Sequence, residues 1–163
     1  ARDEKFKELI GDVQALPGAV QLLRWLKEEL QLPVAVATSS SREYLPLKQA
    51  KNAELFSFVD AVVCGDDDVV GAGKPAPDIF LAGAKALHLP PTSCISVEDA
   101  ISGVKAATSA GMWTACVPHP SVPVQQYVEA GADLTSPGGL LPVLDWLKAA
   151  LEAQVKTSGG QGE

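Results

Sequence analysis

The chain is poor in the residues that would mark a metal, disulfide or nucleic-acid protein. It has three cysteines, Cys64, Cys94 and Cys116. The count is odd, no CxxC spacing exists, and each thiol sits in an apolar, strand-like run. Buried free thiols in a reducing compartment are the reading this supports, and a cytoplasmic protein is expected. Of the two histidines, His88 lies near the end of a helical pattern, and His119 is flanked by prolines in VPHPSVP. Neither has a second His or Cys at metal-ligand spacing. Basic residues are few: 13 Lys and Arg stand against 20 Asp and Glu, a net charge of -7. That balance argues against nucleic acid as a partner, since a non-specific binder needs a basic face. No apolar run approaches the ~20 residues of a membrane span, so no membrane is expected either. The chain also opens on Ala1, with no signal-like segment. It reads as a piece of a longer protein.

What is present is the balance of an ordinary globular domain, with 47% hydrophobic and 20% charged residues over 163 positions. Pro17 opens a helical pattern in which Val20, Leu23, Leu26 and Leu30 recur at helical spacing. Pro33 introduces VAVAT, a β-branched run ending in Thr38 and three serines. SREYLPLKQAKNAELF reads as partly helical, interrupted near Pro46. FVDAVVC is a second strand, followed by the acidic loop GDDDVVGAG. PDIFLAGAKAL is a helix with Phe80, Ala84 and Leu87 on one face. SCISV is a third strand, and SGVKAATSAG a helix with Gly111 placed for its C-terminal cap. WTACV, PVQQYVEAGA, DLTS and LLPVLDWLKAALEAQ continue as strand, helix, short strand and closing helix. Strands alternate with helices and lack polar alternation, as expected when both faces are covered. The expectation is a three-layer α/β fold with a Rossmann-like parallel sheet. Residues 1–16 look like the end of a separate helical unit and linker, 17–155 like the α/β core, and 156–163 like a disordered tail.

In such folds ligands bind at the carboxyl ends of the strands. Thr38 and Ser39 follow the first strand, Lys74 stands in GKPAPD after the second, and Glu98 and Asp99 follow the third. A hydroxyl and a lysine suit a phosphate. Two carboxylates beside a phosphate repel it unless a hard cation bridges them, and Mg²⁺ does this with one or two carboxylates, waters and a phosphate oxygen. Duller readings stand beside each. Thr38 and Ser39 can cap the next helix, Lys74 can be a solvated loop residue, and Asp99 can be an N-cap with Glu98 solvated. The run Asp66, Asp67 and Asp68 reads as a solvated turn. The order of hydroxyl, lysine and acidic pair at successive strand ends favours the functional reading.

That order resembles the haloacid dehalogenase-like superfamily of phosphohydrolases. The matching stretches are VAVATSS, GKPAPDIFLAGAKAL and CISVEDAISGVKAATSAGM, and the similarity runs from about Leu16 to about Val117. ELFSFVDAVVCGDD followed by GKPAPDIF is most similar to the pseudouridine-5'-phosphatase and sugar- or polyol-phosphate phosphatase branch. The resemblance implies that Thr38, with Ser39, binds the transferring phosphoryl group. It implies that Lys74 neutralises the phosphate and the nucleophile, and that Asp99, with Glu98 beside it, anchors Mg²⁺. It also implies a small phosphorylated metabolite as substrate and an aspartyl-phosphate intermediate. Residues 1–16 resemble the end of a helical cap. The family's nucleophile and acid/base come from a DxDGT-type motif on a central first strand, and no such motif occurs here; GDDDVV lacks the strand context. A missing N-terminal segment of the same protein is therefore expected to complete the site. The sheet is expected to lack that strand between Val34–Thr38 and Cys94–Val97, and this chain alone to be inactive. A non-catalytic pseudoenzyme or interaction module is the alternative. A receiver-type signalling domain fits poorly, because there the acidic pair comes early and the lysine late.

Overall fold

The computed structural model describes residues 12–158. Its elements alternate as the sequence leads one to expect: α1 (Ala19–Arg24), β1 (Ala35–Thr38), α2 (Leu45–Lys51), α3 (Ala53–Phe56), β2 (Ala61–Cys64), α4 (Asp78–Ala86), β3 (Ile95–Glu98), α5 (Ile101–Ser109), β4 (Trp113–Cys116), α6 (Val124–Glu129), β5 (Leu134–Thr135) and α7 (Leu140–Ser158). α1 runs on into a wide turn at Trp25–Glu29. Gly111 follows α5 at φ 79°, the left-handed cap position that glycine adopts without strain.

All ladders among the described residues are parallel. β1 pairs with β2 from Ala35↔Ala61 to Thr38↔Cys64. β3 pairs with β4 from Ile95↔Trp113 to Glu98↔Cys116, and β4 with β5 at Ala115↔Leu134. The sheet is thus in two pieces, β1-β2 and β3-β4-β5, and β1 does not pair with β3.

Alternation along the strands sends neighbouring side chains to opposite faces. On one face α1 and α7 bury Leu22, Trp25, Val143 and Leu147 around Ala115. On the other, α4 and α5 bury Ile79, Phe80, Ala106 and Ala107 with Val63, and Cys116 packs with Val104 and Tyr127 of α5 and α6. Trp113 of β4 stacks on Trp146 of α7, ring centroids 4.7 Å apart and planes within 10°.

Coverage is not complete. Ile95 and Val97 are 53% and 41% exposed, although beside them in the ladder Ala115 is buried and Trp113 half-buried. Only Ser96 of β3 is buried, and its hydroxyl donates to Thr114 Oγ1 at 2.9 Å. The expectation of two covered faces therefore fails at β3, because α1 and α7 pack over β4 and stop short of it.

Three further differences concern local structure. The buried face of α1 is Ala19, Leu22 and Trp25, with Val20 and Leu23 half-buried. The interruption near Pro46 falls at Asn52 instead, because Pro46 sits in the first turn of α2, where its missing N–H costs nothing. Asn52 also ties down the incoming chain. Its Oδ1 accepts from Ala15 N at 2.7 Å and its Nδ2 donates to Val13 O at 2.9 Å. Of the expected cap remnant, residues 1–11 lie outside the described residues, and 13–16 have no regular structure. α7 continues to Ser158, past the expected start of a disordered tail, and 159–163 lie outside the described residues.

Candidate active site

Parallel pairing aligns the carboxyl ends of β1 and β2, closed by Thr38 and Cys64. Lys74 bonds both Ala37 O of β1 and Glu98, which closes β3, so the three ends share one rim. The loop after β2 returns across this rim and carries Lys74, before Asp78 opens α4 and accepts from Ala72 N at 3.1 Å. The Lys74–Pro75 peptide is cis.

Lys74 joins the two halves of the sheet. Its Nζ donates to Ala37 O of β1 at 3.3 Å, forms a hydrogen-bonded ion pair with Glu98 Oε1 at the end of β3, and lies 4.8 Å from the Phe80 ring centroid. The two charged side chains are only 11% and 8% exposed. A buried charge needs a partner, and each supplies the other's. Glu98 is also pressed against α5. A Cβ built on Gly103 would clash with the Glu98 carboxylate, which a larger residue there would have to displace.

Asp99 behaves differently from its neighbour. It is exposed, and it is held through its backbone, its carbonyl accepting from the buried Tyr127 hydroxyl at 3.0 Å. The Glu98 carbonyl accepts from Val117 N at 2.8 Å. Of the acidic pair, Glu98 is thus committed to Lys74, while the Asp99 carboxylate stands in solvent at the rim. The open, hard carboxylate of Asp99 is of the kind Mg²⁺ takes, since that ion uses one or two carboxylates and fills its remaining positions with water and substrate oxygens.

The hydroxyls are arranged by their own turn. Thr38 Oγ1 accepts from Ser40 N at 3.2 Å, Ser40 Oγ accepts from Lys48 Nζ at 2.6 Å, and Ser39 is exposed. Lys74 meets the residue before Thr38, and among the described contacts it does not bond the Thr38 hydroxyl itself.

Two of the three loop aspartates are more than a solvated turn. Asp67 takes Arg42 in two hydrogen bonds, 2.6 Å from Nε and 2.5 Å from Nη2, and accepts from Cys64 N at 2.8 Å. Asp66 accepts from Arg42 N at 2.8 Å. The guanidinium holds the Asp67 carboxyl down to about 2, and the carboxylate in turn raises Arg42. Cys64 Sγ lies within 4.8 Å of the Asp66 and Asp67 oxygens. Arg42 already occupies that cluster, and burial pushes the Cys64 thiol up. Cys94 and Cys116 are likewise free, with thiols raised by burial. Sequence reasoning missed Arg42, Gly103 and Tyr127. The match of Arg42 to Asp67 spans 25 positions, and that of Tyr127 to Asp99 spans 28, so no local pattern announces either.

Parallel strands, helical layers on both faces and a lysine–carboxylate pair on the C-terminal rim define an α/β domain with a charged group at its strand ends. More particularly, the chain belongs to the haloacid dehalogenase-like hydrolases, whose family profile matches residues 2–111. It is 42% identical over 131 residues to the probable pseudouridine-5'-phosphatase of Drosophila melanogaster, covering 78% of this chain and 56% of that protein. It is 37% identical over 138 residues to (DL)-glycerol-3-phosphatase 2 of Arabidopsis thaliana, covering 83% and 57%. Among solved structures it superposes on a HAD family hydrolase from Deinococcus radiodurans R1 with a TM-score of 0.73 at 28% identity, covering 91% of this chain and 64% of that one. The chain thus spans somewhat over half the length of these two curated relatives. Among the described residues, no helix is long and apolar enough to cross a membrane.

Proposed function

We propose that this chain carries the phosphate- and metal-binding half of a Mg²⁺-dependent phosphatase acting on small phosphorylated metabolites. The observation that carries the reading is Lys74, a nearly buried ammonium held at the rim between β1 and β3 by Ala37 O and Glu98. A fixed cation at that point is suited to a phosphoryl group, whose transfer depends on charge compensation aimed at its oxygens. Relatives named as pseudouridine-5'-phosphatase and glycerol-3-phosphatase, and a structural relative holding phosphate, support the substrate class.

In this reading Lys74 binds the phosphate and offsets its charge against an incoming carboxylate. Thr38 and Ser39, in the turn after β1, orient the phosphoryl oxygens with nearby backbone N–H groups. Glu98 keeps Lys74 aimed. Asp99 would hold Mg²⁺, which when bound supplies Lewis-acid stabilisation to a phosphoryl oxygen. The nucleophile is an aspartate outside these 163 residues, which attacks phosphorus to give an aspartyl-phosphate. A second aspartate protonates the leaving alcohol and then activates water. In this reading the segment bearing them would lie between β1 and β3, which do not pair with each other.

The test is phosphate release from pseudouridine 5'-phosphate and glycerol phosphates, with Mg²⁺ varied, by the full-length protein and by the 163-residue chain alone. Mg²⁺-dependent turnover by the first and none by the second is expected. Turnover by the isolated chain that Lys74→Ala abolishes, or none by the full-length protein on any phosphate monoester, overturns the reading.

A further inference from the structure

Tyr127, on α6, is the largest of the fully buried side chains among the described residues, 1% exposed. Its ring packs with Val104, Cys116 and Ala130. Packing alone would be served by phenylalanine, and the hydroxyl has a separate task. It accepts from His119 N at 3.1 Å and donates to Asp99 O at 3.0 Å. One phenol therefore joins the loop after β4 to the loop after β3.

The loop after β3 is constrained unevenly. Glu98 is fixed at its carbonyl by Val117 N, at its carboxylate by Lys74 and by close approach to Gly103. Asp99 has an exposed side chain, and the bond from Tyr127 fixes its backbone one residue before α5 begins to form at Ala100. A bond on that carbonyl restrains the 99–100 peptide plane and with it the placement of the Asp99 Cα, from which the side chain departs. A buried donor on that carbonyl, itself oriented by a backbone N–H, leaves one rotation favoured.

We propose that Tyr127 is a positioning residue for Asp99, holding its backbone so that the exposed carboxylate is preset for a divalent cation. This rests on the reading of Asp99 as the Mg²⁺ ligand, and acts through Asp99 without contact to metal or substrate. Outer partners of metal ligands commonly carry affinity in this way.

The test is isothermal titration of the full-length protein with Mg²⁺ in four forms: wild type, Tyr127→Phe, Val104→Ala and Asp99→Asn. Tyr127→Phe keeps the ring and should weaken Mg²⁺ affinity about three- to tenfold, the size of one net hydrogen bond. The Mg²⁺ needed for half-maximal turnover should rise equally, with substrate KM at saturating Mg²⁺ close to wild type. Val104→Ala opens the same cluster without touching Asp99, and should lower the melting temperature while leaving Mg²⁺ affinity unchanged. Asp99→Asn should abolish measurable binding. If Asp99→Asn abolishes binding but Tyr127→Phe leaves it intact, the positioning role is overturned and the metal assignment stands. If Val104→Ala weakens binding as much as Tyr127→Phe, the effect is general loosening and the role is again overturned. If Asp99→Asn binds Mg²⁺ as wild type does, the metal assignment falls and the positioning role with it.

Discussion

Lys74 and Glu98 lie 24 positions apart in the chain and meet as a nearly buried ion pair at the junction of two half-sheets. The lysine also reaches Ala37 O, so a single side chain is bonded to the end of β1 and the end of β3. Lys74→Ala should lower kcat of the full-length protein by about 10² or more, the scale for one preorganised charge stabiliser. Lys74→Arg should not restore it, because a planar fork does not replace a compact ammonium. Steady-state phosphate release decides this, and activity within a few-fold of wild type would refute the role.

Removing the other partner tests the pair itself. Glu98→Ala leaves the Lys74 ammonium without its counter-ion in a site 11% exposed. Breaking a buried pair in this way costs about 3–5 kcal/mol. Urea unfolding should register a loss of that order, and a change below about 1 kcal/mol, the range of exposed pairs, would place the pair in solvent.

Gly103 gives a steric test of the same geometry. An added methyl would clash with the Glu98 carboxylate. Alanine is favoured over glycine inside a helix by about 1 kcal/mol, so on propensity alone Gly103→Ala should stabilise α5. Overpacking costs about 1–3 kcal/mol and should win, displacing Glu98 from Lys74. Lower thermal stability together with reduced turnover is expected. A melting temperature above wild type would mean that Glu98 has room to move.

The Arg42–Asp67 contact predicts a pH response. The Asp67 carboxyl sits at about 2, below its ordinary 3.8, chiefly through the hydrogen bonds from Arg42. Between those values the unfolded chain binds a proton that the folded chain does not. The contribution is therefore complete above 3.8 and is lost as pH falls toward 2. Asp60, lowered by Lys27 and Val34 N, acts in the same direction. Asp67→Asn should be less stable at neutral pH and should lose less further stability on acidification across that window, as followed by thermal melts at stepped pH. Parallel curves for variant and wild type would remove Asp67 from the acid response.

Much of the site was readable because strand ends are announced locally. VAVAT and CISVED change from apolar to polar within a residue or two, and a parallel sheet brings such points to one rim. Lys74 could be assigned to that rim for the same reason. What Lys74 touches could not be read, since its partners depend on the path of a loop. The acidic pair looked like two equivalent anions. The fold separates them, because Glu98 closes a strand against Gly103 while Asp99 lies past its end. The loop aspartates looked solvated because the arginine that takes two of them lies across the rim, after β1. On α1 the helical spacing was legible, but which stripe faces inward was not. Ala19, Leu22 and Trp25 turn inward to meet α7, an element more than a hundred residues later.

The indole pair on β4 and α7 makes the closing helix optically visible. Trp113 and Trp146, face to face at 4.7 Å, are close enough for their transition dipoles to couple. Their near-ultraviolet circular dichroism depends on that stacking, as the far-ultraviolet signal of the helices does not. Detachment of α7 from the sheet would weaken that near-ultraviolet signal while α7 remained helical. The molecule thus carries a built-in chromophore pair that reports docking of its last helix separately from folding of that helix.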